Sequence, residues 1–200
     1  MKPLIILDNG HGRDTPGKRS PVWPDGTQLF EFRFNRDIVR RIALELQWNR
    51  IDYHILVPEE SDISLTERCR RANELYKERD CILLSIHANA GGGTGYESFT
   101  SKGYTMSDEY ATILCMQMQE DFPEWKMRFD YSDGDPDKES QFAILVNSKC
   151  PAILSENFFM DTEKDCRFIQ SEIGRIRIAK SHVLAIKKML LFSEIKTKAV

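Results

Sequence analysis

The sequence offers little that would tie the chain to a membrane, to nucleic acid or to an oxidising compartment. No apolar stretch approaches the roughly 18–20 residues that crossing a bilayer requires. The N-terminus enters strand-like sequence at Leu4 without the basic segment, apolar core and cleavage site of a secretory leader. Synthesis in the cytoplasm is therefore expected. With 28 Lys and Arg against 31 Asp and Glu, the net charge of -3 leaves no basic excess for nucleic-acid capture. The five cysteines, Cys69, Cys81, Cys115, Cys150 and Cys166, are scattered and odd in number, with no C-x-x-C. Neither a disulfide framework nor a thiolate zinc site is expected, and buried inert thiols are. No P-loop, G-x-S-x-G or dinucleotide fingerprint occurs.

What is present is an alternation of short apolar runs and amphipathic stretches. Leu4–Leu7, Tyr53–Val57, Ile82–Ile86, Tyr96–Phe99, Phe142–Val146 and Ala152–Ser155 read as strands. Phe30, Phe34, Ile38, Ile42 and Leu46 recur at helical spacing, and Ser64-Leu65-Thr66-Glu67 has the form of a capping box opening a second helix. That second helix should turn Leu65, Cys69, Ala72 and Tyr76 inward and leave Arg68, Arg70 and Arg71 on a solvated face. Residues 108–122 and 163–191 complete the helical set, the last carrying Ile169, Ile173, Ile176, Val183 and Leu190. Residues 13–28 and 123–141 are long polar loops, of the sort that wall functional sites. The fold class is α/β: a single three-layer domain over 1–200, core about 1–192, with a twisted mostly parallel or mixed sheet and helices on both faces.

Two of the strands run into small-residue turns that carry histidine: Asp8-Asn9-Gly10-His11-Gly12 and His87-Ala88-Asn89-Ala90-Gly91. Ligand chemistry in open α/β sheets collects at the carboxyl edge. A hydrolytic zinc takes three nitrogen or carboxylate ligands and leaves one position open. His11 and His87 supply two. Glu31, in the first turn of the helix after the His11 loop, is the candidate third, although a first-turn carboxylate also complements the helix dipole. Asp8 is placed to accept an imidazole N–H, or to stabilise its turn. His54 and His182 read as packing or surface histidines. Glu156, set between Ala152-Ile153-Leu154 and Phe158-Phe159-Met160, is the candidate base, with Glu97 its rival and an arginine salt bridge the alternative role. Asp133-Gly134-Asp135-Pro136-Asp137 lacks the sixth-position glycine of an EF-hand and carries a proline, so no calcium site is expected there.

Read in order, Ile5-Ile6-Leu7-Asp8-Asn9-Gly10-His11-Gly12, Leu29-Phe30-Glu31 with Asn35, and Ser64-Leu65-Thr66-Glu67-Arg68 with Ala72-Asn73 form a pattern. Ser85-Ile86-His87-Ala88-Asn89-Ala90 leading to Gly95-Tyr96-Glu97, and Pro151-Ala152-Ile153-Leu154-Ser155-Glu156-Asn157-Phe158-Phe159, continue it. The whole resembles the zinc-dependent N-acetylmuramoyl-L-alanine amidases of the amidase 3 type, found in bacterial cell-wall remodelling and phage lysis. The resemblance spans nearly the full chain, with Ser-Ile-His-Ala-Asn its most specific block. It implies one zinc per chain on His11, Glu31 and His87, with Glu156 as catalytic carboxylate. The implied reaction is hydrolysis of the amide between the muramic acid lactyl group and L-alanine. Asn9, Arg13 and Asn157 depart from the family's usual residues without removing a ligand. Asp8, Asn89 and Glu97 would stand beside the ligands, and Trp23 or Tyr131 would pack on substrate. The expected partner is peptidoglycan or a muropeptide, met by a monomer acting at the cell wall. A non-catalytic wall-binding module and a zinc carboxypeptidase-like peptidase are the alternatives.

Overall fold

The computed structural model describes residues 2–198. Its strands are β1 (Leu4–Asn9), β2 (Tyr53–Ile55), β3 (Cys81–Asn89), β4 (Tyr96–Thr100), β5 (Lys138–Glu139) and β6 (Ala152–Phe159). Its helices are α1 (Glu31–Trp48), α2 (Leu65–Glu78), α3 (Met106–Asp121), α4 (Ala143–Val146), α5 (Glu163–Gln170) and α6 (Glu172–Lys198). The strands form one sheet in the order β2-β1-β3-β6-β4-β5. Pairing is parallel except between β4 and β6, so the sheet is mixed, as expected.

Alternation along the three central strands divides the interior. Ile5, Leu7, Ile82, Leu84, Ile86 and Ile153 join α1, α3, α5 and α6 on one face. Leu4, Ile6, Cys81, Leu83, Ala152 and Leu154 join α2 and α4 on the other. Strands covered on both sides must be apolar at every position, which is why these segments read as unbroken runs. Burying each such aliphatic side chain contributes about 1.5–3 kcal/mol. All five cysteines are buried and free.

Several local expectations change. Phe142–Val146 is no strand: residues 143–146 form the single turn α4, which lays Ile144 and Leu145 onto the α2 face. A short apolar run carries no period by which to separate the two. The continuous helix over 163–191 is broken at Ser171, whose backbone is extended and whose hydroxyl accepts from Gly174 N at 2.9 Å, starting α6 afresh. The break turns Ile173 and Ile176 to solvent. At Ser64 half a capping box forms. Its hydroxyl accepts from Glu67 N, but the Glu67 carboxylate goes to Arg70 and Arg71. Leu65 is exposed at the start of that helix.

His182 is fully buried on α6, its ring nitrogens on Ser155 Oγ and Ile178 O, both at 2.8 Å. Burial drops its pKa from 6.5 to about 4, against the small upward pull of the Ile178 carbonyl. The folded state thus resists a proton that the unfolded chain accepts. Its contribution is complete above pH 6.5 and is lost as pH falls from there through about 4. Chemical denaturation between pH 7 and 4 should show wild type losing on the order of 3 kcal/mol more than His182→Gln.

Candidate metal and acid–base centre

The site follows from one change in the strand pattern. On the face shared with α2 and α4, alternate positions run Leu4, Ile6, then Asp8; Cys81, Leu83, then Ser85 and His87; Ala152, Leu154, then Glu156. Register aligns them, with Asp8 beside Ser85, Leu154 beside Ser85, and His87 beside Glu156. Each strand is apolar where the helices cover it and polar where it emerges at its carboxyl end. There the polar side chains floor a cavity of about 370 Å³. Thr15 and Lys18 of the 13–28 loop, Leu65 of α2, and Phe142 and Ile144 around α4 line it as well.

His11, Glu31 and His87 each offer one donor atom within 4.8 Å of the others. His11 adopts a left-handed backbone, φ 64°, in the turn after β1. Gly10 before it admits no substituent, because a Cβ would stand 2.0 Å from His87 Cε1. Glu31 opens α1 and is 1% exposed. Its Oε1 lies 3.0 Å from His87 Nδ1 and 3.4 Å from His11 Nε2. Its Oε2 is buried and has no hydrogen-bond partner among the described residues. Burial alone would raise the Glu31 carboxyl, yet the two histidines hold it well below the usual range. His87 is raised in turn: burial opposes its charge, and Glu31 outweighs burial. This is a donor set in want of a positive charge. Two imidazoles, one carboxylate and a spare buried oxygen fit a single borderline cation such as zinc.

His87 is oriented from behind. Ser85 Oγ donates to Asp8 Oδ2 at 2.6 Å, so its lone pair is left to accept from His87 Nε2 at 3.2 Å. With its proton on Nε2, the neutral ring would keep the Nδ1 lone pair for a cation placed between Glu31 and His11. Asp8 therefore does not bind an imidazole directly, as its sequence position suggested. It acts through Ser85, and its other oxygen meets Arg68 Nη1 at 2.6 Å, both side chains 2% exposed. Arg68 is thus buried rather than solvated with Arg70 and Arg71. An anion walled in between the sheet and α2 must have a cation, and α2 supplies it.

Glu156 shares the cavity but none of the ion pairs. Its Oε2 is buried without a partner among the described residues. Burial, together with the Glu31 and Glu97 carboxylates, pushes its pKa from 4.5 up to about 7, while His87 and Lys18 pull the other way. A bulge after Glu156 shifts the β3–β6 register, since His87 pairs with Glu156 but Asn89 with Phe159. Phe158 sits there at φ 64°, held between Phe122, Trp125 and Phe168 with ring centroids 4.8–5.5 Å away.

Glu97 pairs with Glu156 across β4 and β6, yet it is no rival base. Lys138, Arg128 and Asn89 all bond its carboxylate, and these bonds overcome burial to hold its pKa down. Asn89 therefore serves Glu97 and not the donor set. Trp23 is tied by its indole N–H to Cys166 Sγ at 3.3 Å, and Tyr131 is exposed against Phe129; neither lines the cavity. Ser85, Arg68, Lys18 and Thr15 escaped the sequence reading. Only Arg68 left a signal, in the need of Asp8 for a counter-charge.

Two imidazoles and a carboxylate beside an unpaired, proton-seeking carboxylate, at the carboxyl edge of an α/β sheet, make the kind of centre that metallohydrolases use. The family described as N-acetylmuramoyl-L-alanine amidase matches residues 5–188, and the chain belongs to it. It is a hydrolase of the amide joining N-acetylmuramic acid to L-alanine. The sporulation-specific N-acetylmuramoyl-L-alanine amidase of Bacillus subtilis (strain 168) is 26% identical over 92% of this chain and 67% of its own. The endolysin of Bacillus phage SPP1 is 25% identical over 95% and 67%. Among solved structures, the N-acetylmuramoyl-L-alanine amidase of Clostridium difficile 630 superposes with a TM-score of 0.79 at 26% identity, covering 94% of this chain and 97% of that one.

The raised Glu156 pKa is a stability liability. Its folded-state value exceeds the unfolded 4.5, so the contribution is present below pH 4.5 and is lost as pH rises through about 7. In metal-free protein, Glu156→Gln should raise stability at pH 8 by on the order of 2–3 kcal/mol and leave it unchanged at pH 4, read as Tm against pH.

Proposed function

We infer that this amidase works with one zinc ion held by His11 Nε2, Glu31 and His87 Nδ1, and with Glu156 as its general base. The unpaired Glu156 carboxylate, set beside the donor set with its proton affinity near neutrality, is the observation that carries this reading. When bound, zinc supplies Lewis acidity that polarises the substrate carbonyl and makes water a competent nucleophile. Glu156 accepts the proton of the attacking water and returns it to the departing L-alanine nitrogen, a role that requires a pKa near working pH. Ser85 and Asp8 keep the proton of His87 on Nε2 throughout. Leu65, Phe142, Ile144 and Leu154 on the cavity wall suit the lactyl and alanyl methyl groups that flank the amide. Lys18 offers the one lysine of the cavity lining to a stem-peptide carboxylate. Peptidoglycan or a muropeptide is the substrate, and the cell wall is the place of action.

Dye release from labelled peptidoglycan tests this. Glu156→Gln should lower kcat by about 10²–10⁴-fold with metal content unchanged by elemental analysis. His87→Ala should lose the metal itself. Chelation should abolish wild-type release, and zinc should restore it. Products should be intact stem peptides; single terminal residues would instead mark a carboxypeptidase. The acidic limb of kcat/KM should fall at or below pH 7, because Glu156 must be unprotonated and a cation beside it lowers its value from about 7. Full activity of Glu156→Gln would sink the assignment.

A further inference from the structure

A second group of oxygen donors lies outside this cavity, where the 123–141 loop meets β4 and α3. Asp108, Asp135 and Asp137 bring one carboxylate oxygen each within 4.8 Å of the others. Three anions at such separations repel strongly unless something positive lies between them. Asp108 has work already. Its Oδ2 caps α3 by accepting from Thr105 N and Oγ1, and its Oδ1 accepts from Thr100 Oγ1 at 3.1 Å. Asp137 is different. It is 2% exposed, its Oδ2 takes the same Thr100 hydroxyl at 2.8 Å, and its Oδ1 is buried with no hydrogen-bond partner among the described residues. Asp135 Oδ1 is likewise buried with no donor among the described residues, and the Asp135 and Asp137 carboxyls lie within hydrogen-bond reach of one another. Two orphaned carboxylate oxygens and a third carboxylate close by describe a site with its ligands in place.

We propose that Asp108, Asp135 and Asp137 bind one hard divalent cation, calcium in preference to magnesium, which fastens the 123–141 loop to α3 and β4. All three donors are oxygen, which selects a hard ion and disfavours zinc. Three protein ligands on two elements leave the remaining positions to water, a loose shell that calcium accepts and magnesium resists. The EF-hand pattern is indeed absent, because the third ligand comes from α3, twenty-five residues or more away in sequence. Burial raises the proton affinity of Asp135, and burial with a hydrogen bond and repulsion from Asp135 pushes Asp137 up to about 8, so the pair holds a proton that a cation would displace. The ion has a reach beyond its own loop. Lys138 follows Asp137 directly and holds Glu97, the strand neighbour of Glu156. Fixing Asp137 fixes the start of β5 and with it Lys138.

The test is thermal and independent of turnover, so it stands whether or not the zinc assignment holds. The protein, both as purified and with added zinc, is melted with and without about 10 mM calcium or magnesium. At about a hundredfold excess over Kd, calcium should raise Tm by roughly 5–10 °C, and magnesium less. Asp135→Asn/Asp137→Asn should lose the calcium shift, while melting without calcium at or above the wild-type temperature because the repulsion is gone. Calorimetric titration of the unaltered chain should give one calcium per chain. If the double variant does not fold, Asp135→Asn alone, at a half-buried position, carries the comparison. No calcium shift in wild type, or an equal shift in wild type and variant, overturns the proposal. A variant that gains stability while wild type ignores calcium would mean that Asp135 and Asp137 share a proton instead.

Discussion

The buried ion pair between Asp8 and Arg68 is the constraint from which the site is built. A carboxylate enclosed between β1 and α2 is tolerable only when a guanidinium reaches it, and a buried pair of this kind is weak as a source of stability but strong as a fixed point. From Asp8 the order passes to the Ser85 hydroxyl and on to His87. Arg68 also bonds the carbonyl of Ile63 and the carboxylate of Asp62, so the segment leading into α2 is held by the same side chain. Arg36 does the matching service for the other histidine, donating to the His11 carbonyl at 2.8 Å and to the Glu59 carbonyl at 2.6 Å. Both imidazoles are aimed by arginines that never touch them.

Glu97 and Glu156 face one another on adjacent strands and are pushed in opposite directions. Glu97 has two cations and an amide. Glu156 has an apolar wall, two like charges and no direct partner among the described residues. Carboxyl groups separated in this way divide their labour: one stays ionised as scaffold, the other keeps a proton affinity near neutrality and can exchange it. Because Glu97 remains charged, it adds a small push toward the proton on Glu156, behind burial and Glu31.

The layers and most of the elements were legible wherever burial wrote a pattern. β1, β3 and β6 announce themselves as apolar runs, the first two ending in glycine-bearing turns, and α1 by its fourfold spacing of large side chains. His11 and His87 were legible because each ends such a run in a turn, and Glu156 because an acid between apolar neighbours has few reasons to be there. Glu31 needed the family pattern, since a first-turn carboxylate is common without a ligand role. Arg68 was misread because periodicity records which face a residue lies on and not what that face meets. Phe142–Val146 and the break at Ser171 failed for a related reason: four apolar residues fit a strand or a turn of helix, and a serine inside a long amphipathic stretch gives no local warning that its backbone will extend.

The six-stranded sheet ends in β2, of three residues, and β5, of two. Its long apolar strands, which if exposed would recruit copies of themselves edge to edge, are enclosed in the middle. A borderline strip of backbone is all that either margin offers to a passing chain. Such blunted margins let the molecule be crowded to high local concentration without seeding fibrils, a property of its outline rather than of its chemistry.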